Sequence, residues 1–193
     1  MEIIGICGKK RSGKDEVADA LSRYGSFCKR PLANVLKEIA KIIFLWNDRH
    51  VYGDLKEVVD NSWGVSPRQV LQFIGTECFQ HRMCEMFPRF KEVTGRCLWI
   101  DRMISKIKTD TYSHFVIPDI RFFHEEDRLR EEFGEDFKLI RVTRPILDSI
   151  DEHESEAYYN DLHADAEIIN DGTLEDLHEN AINVLEILRK QNG

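Results

Sequence analysis

No stretch of this chain is apolar for long enough to cross a bilayer, which takes about 20 residues. No basic segment precedes the short apolar run at its start, so a secretory leader is not expected. The chain therefore reads as soluble and cytoplasmic. Basic charge is in deficit, with 27 Lys and Arg against 35 Asp and Glu and a net charge of −8. Polynucleotide binding usually needs a basic face, so a nucleic-acid partner is not expected. A small phosphorylated substrate needs only a local basic pocket. Cysteine pairs in CxxC spacing are missing. The five cysteines (Cys7, Cys28, Cys78, Cys84 and Cys97) are odd in number, which suits reduced thiols. Cys78, His81 and Cys84 come three apart on an expected helix, but i and i+6 face about 240° apart at the helical period. That spacing does not suit zinc. Repeats, low-complexity runs and long linkers are absent too. What remains is 193 residues, 42% hydrophobic and 32% charged, enough for one compact globular domain with a real core.

The most informative stretch runs from Glu2 to Asp15. A β-branched apolar run, Ile3 to Cys7, reads as a buried strand. It leads into Gly8, four residues, then Gly13-Lys14. This is the G-x-x-x-x-G-K spacing of a phosphate-binding loop. Val17, Ala18 and Leu21 then recur at helical spacing, predicting a helix from Gly13 to about Tyr24. The glycines permit close approach of backbone amides to a phosphate, and the amides and helix N-terminus face an anion. Lys14 adds a mobile charge. Where such loops usually carry Ser or Thr, this one has Asp15, a hard oxygen ligand that could help hold magnesium. Lys9, Lys10, Arg11 and Lys14 would offset its charge. The duller reading is a glycine turn with a solvated basic cluster, but the strand and helix on either side agree with the loop.

Further along, Ser26–Lys29 reads as a short second strand, with Pro31 as a helix start signal. Leu32, Val35, Leu36, Ile39, Ala40 and Ile43 form an apolar stripe, and Lys37 lies off it. Residues 47–64 read as a loop with a short helix, punctuated by Gly53, Asn61 and Gly64. Ser66 and Pro67 mark the next helix as N-cap and first turn, with Val70, Leu71, Ile74 and Cys78 inward. Arg68, Gln72 and Thr76 fall four apart on one face; the row suits a phosphate and a base, or merely solvent. Gly75 inside this helix costs about 1 kcal/mol relative to alanine. It marks either close approach of a ligand or tight helix packing. Residues 87–96, with Pro88 and Gly95, read as a loop or lid edge. Leu98, Trp99, Met103, Ile104 and Ile107 give another helix, with Trp99 either core or ligand stack.

The run from His114 reads as a strand ending in Asp119, with Arg121 close behind. Ligands of a parallel sheet sit at the carboxyl ends of its strands, so Asp119 can act as a second magnesium carboxylate and Arg121 can point into the crevice. Asp119 could instead cap the helix expected from Phe122 to Glu132. Lys138–Thr143 alternates as a strand ending at Arg144-Pro145. Arg144 is the better candidate for the charge clamp that phosphoryl transfer needs, and Arg141 is an edge residue or a second clamp. Residues 148–165 are acidic and polar, and His153-Glu154-Ser155-Glu156 begins a short lid helix or lies on a solvated face. Glu167–Ile169 is a last strand, Asn170-Asp171-Gly172 a turn. Thr173 caps a final helix with Leu174, Leu177, Ala181, Val184, Leu185 and Leu188 inward. The strand–helix alternation argues a doubly wound α/β sheet.

These blocks together resemble a family. Gly8-Lys-Lys-Arg-Ser-Gly-Lys-Asp15 is similar to the loop of the phage-type deoxynucleoside monophosphate kinases, a branch of the P-loop nucleoside monophosphate kinases that carries Lys-Asp. The resemblance continues in Leu71-Gln72-x-x-Gly75-Thr76, in Pro118-Asp119-x-Arg121-x-x-His124-Glu125, in Val142-x-Arg144-Pro145 and in Asn170-Asp171-Gly172. Residues 47–66 look shorter than in the best-known phage members. The resemblance implies an α/β P-loop NTPase fold, a doubly wound parallel sheet of about five strands. Its core would be residues 1–31, 110–145 and 164–193, with a helical monophosphate-binding insertion at about 32–109 and a lid at about 146–163. It implies transfer of the ATP γ-phosphate to a deoxynucleoside monophosphate, with magnesium. Carried over by position, ATP falls to Gly8, Arg11, Ser12, Gly13, Lys14, Asp15 and Glu16, with Asn170 and Gly172 bordering the adenine. The acceptor falls to Lys10, Lys37, Arg68, Gln72, Gly75, Thr76, Trp99, Asp119 and Arg121. Lys14, Arg121 and Arg144 would be catalytic, and Asp15 and Asp119 would serve the metal. Homodimers are common in the phage branch, although no feature here marks an interface. The resemblance also suggests a viral source, acting in the host cytoplasm.

Two other readings stay open. Animal-type phosphomevalonate kinases resemble the loop, the Asp119-x-Arg121 strand end and Glu154-Ser155-Glu156, but Gly75-Thr76 and Arg144-Pro145 favour the nucleotide branch. An ATP-binding switch without a small acceptor is the third. It has less need for the arginines at 68, 121 and 144.

Overall fold

The computed structural model describes residues 1–145 and 161–191. Most of the expected lid, including His153-Glu154-Ser155-Glu156, lies outside the described residues. The chain divides into two compact units, one of Met1–Leu32 with Ile100–Gly193, the other Ala33–Trp99.

The first unit is built on a five-stranded sheet: β1 (Glu2–Cys7), β2 (Cys28–Lys29), β3 (His114–Ile117), β4 (Phe137–Thr143) and β5 (Ala166–Ile169). The strand order is β2-β3-β1-β4-β5, and every pairing is parallel. Ile3 pairs with Phe115 on one side and Phe137 on the other. A strand covered on both faces needs an unbroken apolar run, and Ile3, Ile4, Ile6 and Cys7 are all fully buried. Burying each such Ile side chain contributes about 1.5–3 kcal/mol. One face packs α1 (Lys14–Tyr24) against the C-terminal helix, Leu174–Gln191, through Val17, Leu21, Leu177, Ala181 and Leu185. Another helix, Phe123–Phe133, follows β3. There Arg130 bridges the fully buried Glu126 at 2.8 Å and Asp165 at 3.0 Å. Asp165 in turn accepts the Leu139 N–H at 2.7 Å, so the start of β5 is tied to β4 by side chain as well as ladder.

The second unit is helical. It holds α2 (Asn34–Phe44), α3 (Asp48–Val51), α4 (Pro67–Gln72), a π-helix (Phe73–Arg82), α5 (Met83–Met86) and α6 (Pro88–Thr94); α7 (Leu98–Lys108) begins here and runs into the first unit. We number the Phe123–Phe133 and Leu174–Gln191 helices α8 and α9. Ser66 caps α4 through a reciprocal pair with Gln69, an arrangement that satisfies two orphan donors. Ala40, Trp46, Val51 and Val70 form a small core.

Three expectations on elements are corrected. Residues 87–96 are not a loop. Pro88 stands at the first helical turn of α6, where its missing N–H costs nothing, and Gly95 ends the helix at φ 56°. Ile43, placed on the inward stripe, is 57% exposed; in the last turn of α2 it is Phe44 that packs against the small core, stacked on Trp46. Leu174, expected inward, is 50% exposed; it is the first residue of α9.

Candidate active site

The loop between β1 and α1 uses backbone conformations that its residue types dictate. Gly8 has φ 152° and Gly13 has φ 100°. A Cβ on Gly8 would lie 2.4 Å from the Val142 carbonyl oxygen, a backbone atom that cannot swing aside. Arg11 also has a positive φ, 67°, a left-handed conformation uncommon for a residue with a side chain. The Ser12 N–H donates to the Lys9 carbonyl at 3.1 Å, and Lys14 Nζ donates to the same oxygen at 3.2 Å. The ammonium thus folds back over the loop. Ser12 is 1% exposed, and its hydroxyl has no hydrogen-bond partner among the described residues. A buried hydroxyl without a partner costs stability. A phosphate oxygen in the loop would satisfy it, so the loop fits a bound phosphate group.

The loop opens on a cleft of about 380 Å³ lined by Arg11, Gly13, Lys14, Asp15, Glu16, Arg144, Asn170, Gly172, Thr173, Leu174 and Leu177. The ends of β1, β4 and β5 therefore deliver their residues to one place, as the crossover point of a parallel sheet does. Arg144 is exposed just past β4. Asp15 and Glu16 stand on the first turn of α1, where carboxylates are favourable to the helix dipole. The Asn170 carboxamide donates to the Ser12 carbonyl at 2.8 Å. Thr173, Leu174 and Leu177 were read only as cap and core of α9, so the sequence offered no sign that they line a cleft.

Asp119 and Arg121 follow β3, whose end is joined to β1 by the Ile120 N–H on the Ile6 carbonyl at 3.2 Å. Neither lines the cleft beside the loop. Asp119 Oδ1 accepts the Leu32 N–H at 2.8 Å. The cap of α8 is a different residue: Glu125 Oε2 accepts the Arg121 N–H at 2.8 Å and the Phe122 N–H at 3.1 Å. Burial pushes the Glu125 carboxyl up to about 7, with the two backbone N–H bonds opposing, Asp119 adding to the rise and Arg121 lowering it. Arg141 is not an edge residue. It lies on β4 between β1 and β5, and its guanidinium donates to the Leu162 carbonyl. Burial pushes the neighbouring Cys7 thiol up to about 11, with Arg141 pulling the other way.

In the second unit, Arg68, Gln72, Gly75, Thr76 and Trp99 are spread over α4, the π-helix and α7. The Arg68–Gln72 step is helical, but the row then enters the π-helix, where a turn takes more residues, so Thr76 does not continue it at i,i+4. Arg68 pairs with Glu57 at 3.4 Å. Lys37 Nζ lies 4.0 Å from the centre of the Tyr52 ring. Gly75 packs against α2: a Cβ there would meet Leu36 Cδ1 at 2.9 Å. Trp99 is 8% exposed, and its indole N–H donates to the Gly75 carbonyl at 2.9 Å. Both residues are thus accounted for by packing within this unit.

A family model of deoxynucleotide monophosphate kinases matches residues 46–181. A protein of Acanthamoeba polyphaga mimivirus that carries the provisional name deoxynucleotide monophosphate kinase is 30% identical over 199 residues, spanning 100% of both chains. The chain belongs to the deoxynucleotide monophosphate kinase family. The deoxynucleotide monophosphate kinase of Enterobacteria phage T4 is also 30% identical, over 70% of this chain and 51% of its own.

The chain also shares its fold with more distant solved structures. TT1252 from Thermus thermophilus gives a TM-score of 0.51 at 17% identity, covering 96% of each chain. A gluconokinase from Sinorhizobium meliloti 1021 gives 0.50 at 12% identity, covering 100% of this chain and 98% of its own. With the loop and the five parallel strands, they place the chain in the α/β P-loop NTPase fold. No helix among the described residues is long and apolar enough to cross a membrane.

Proposed function

We propose that this kinase transfers the γ-phosphate of ATP to a deoxynucleoside monophosphate. The observation that carries the reading is the cleft of the first unit. There a phosphate loop with an unpartnered buried hydroxyl, Lys14 and Arg144 share one space, in a chain of this family.

The ATP phosphates lie in the loop of Gly8, Ser12, Gly13 and Lys14, with Arg11, Asp15 and Glu16 at its mouth and Asn170 and Gly172 beyond. Phosphoryl transfer depends on positioning and charge neutralisation rather than covalent chemistry. Lys14, Arg121 and Arg144 neutralise the oxygens of the group in transit. The acceptor is already a phosphate anion, so no general base is needed. Asp15 and Asp119 are the carboxylates that would hold magnesium, directly or through water. When bound, magnesium would supply positive charge to offset that of the phosphate oxygens. The unit Ala33–Trp99 serves as the acceptor-binding insertion, with Lys37, Arg68, Gln72 and Thr76 as its acceptor residues.

The test is an ADP-release assay with magnesium and ATP against dTMP, dGMP, dCMP, dAMP, their ribose counterparts and phosphomevalonate, each alone. Turnover with at least one deoxynucleotide is expected. Turnover with phosphomevalonate only, or with no acceptor at all, would overturn the reading.

A further inference from the structure

Asn170 follows β5 at one edge of the sheet, yet it grips the loop that leaves the central strand. Its backbone N–H donates to the Thr143 carbonyl at 2.7 Å, extending the β4–β5 ladder by one bond. From that anchored position its side chain reaches past β4, and Nδ2 donates to the Ser12 carbonyl at 2.8 Å. Only the amide nitrogen of Asn can donate to a carbonyl, so the orientation of the carboxamide is decided by chemistry. Gly13 is shaped to the same contact. A Cβ there would come within 2.6 Å of Asn170 Nδ2 and 2.9 Å of Leu177 Cδ2. Gly13 is thus needed twice, for its φ of 100° and for the amide that fills the space beside it.

We propose that Asn170 is a positioning residue for the phosphate loop, acting on the triphosphate through the Ser12–Gly13 peptide rather than by reading the adenine. A trans peptide points its C=O and N–H in opposite directions. Holding the Ser12 carbonyl toward Asn170 therefore turns the Gly13 N–H away from it, to face the anion. The same hydrogen bond presets the loop before nucleotide arrives, so less ordering remains to be done on binding. Neighbouring side-chain types could not substitute. Asp would set a lone pair against the Ser12 carbonyl, and Leu has no donor. This inference rests on reading the cleft as the triphosphate site, but not on which acceptor is used.

The test is calorimetric titration of wild type, Asn170→Ala and Asn170→Asp with two probes, magnesium-ATP and magnesium-tripolyphosphate, with no acceptor present. Tripolyphosphate has no base, so it separates the two roles. Both probes are expected to weaken by the same factor, about 3–10-fold in Asn170→Ala as for one lost hydrogen bond, and by at least as much in Asn170→Asp. Hydrogen exchange of the free protein is expected to speed up in the segment spanning residues 8–15 in both variants. The acceptor KM is expected to stay within twofold. Weakening of ATP alone would assign Asn170 to the base and overturn the proposal. So would unchanged binding of both probes, unchanged exchange at the loop, or a wild type that binds no tripolyphosphate. A wild type that binds both probes but turns over no acceptor would overturn the kinase reading and leave this one standing.

Discussion

Lys14 and Glu125 carry opposite kinds of burden at single positions. Lys14 folds back onto the Lys9 carbonyl, so its ammonium is placed over the loop before nucleotide binds. Lys14→Met keeps the length and removes the charge; kcat is expected to fall by at least 100-fold, with the melting temperature within a few degrees of wild type. Near-normal turnover in the ADP-release assay would remove Lys14 from the mechanism. Glu125 is 5% exposed, and its carboxyl stands at about 7, above its ordinary 4.5. A raised folded-state value means that its contribution to stability is complete below pH 4.5 and is lost as the pH climbs through about 7. The ceiling for such a shift is about 3 kcal/mol at 1.36 kcal/mol per unit. Glu125→Gln keeps the acceptor for Arg121 and Phe122 and removes the titration. Urea unfolding at pH 5 and pH 8 should show wild type losing stability relative to this variant as pH rises. Parallel curves would mean that Glu125 does not titrate there. Asp119 and Arg121 face the same carboxyl with opposite signs, so the observed midpoint belongs to the group.

At the scale of elements, Gly75 distinguishes a packing role from a ligand role. Alanine gains about 1 kcal/mol of helix propensity over glycine, while overpacking costs about 1–3 kcal/mol. Because Leu36 Cδ1 is the end of a flexible side chain, Gly75→Ala is expected to cost no more than about 2 kcal/mol. In a Leu36→Ala background the same change should become neutral or stabilising. A double-mutant cycle by chemical denaturation measures that coupling; zero coupling would return Gly75 to the ligand. The elements also show which physics is readable along a chain. The β1 strand, its glycine loop and α1 were legible because apolar runs, glycine spacing and helical period are local signals. The Ser66 cap was legible for the same reason, though its reciprocal partner Gln69 was not. The π-helix was not, since Phe73–Arg82 carries no pattern that separates i+5 bonding from i+4. The α6 helix hid behind Pro88 and Gly95, which punctuate helices as readily as loops. Glu125 sat in a recognised block but had no visible role, because burial is not a local signal. The Asn170–Ser12 contact joins residues 158 apart, beyond any local pattern.

For the whole molecule, ligand binding and folding are linked. A ligand at 100 times its Kd adds about 2.7 kcal/mol to the folded state, worth about 5–10 °C in melting temperature for a chain of this size. Saturating magnesium-ATP should produce that shift by scanning calorimetry, and Lys14→Met should lose most of it. No shift in the wild type would mean that the cleft does not hold the triphosphate. The division into two units has a consequence for synthesis. The Ala33–Trp99 unit is continuous in the chain, whereas the sheet unit is split around it. Among the described residues β1 pairs with β3 and β4, at His114–Ile117 and Phe137–Thr143, both made after it. A ribosome adding about 5–20 residues per second leaves Ile3, Ile4 and Ile6 without their sheet for about 5–20 s. The helical unit is finished in that interval, and the nascent chain then has to bridge more than a hundred residues to close the sheet, at the loop-closure cost that slows parallel pairing. Moving β1 to the far end by circular permutation would put its two partners on the page of the ribosome first, and would shorten the time an apolar strand waits in the cell's path of chaperones.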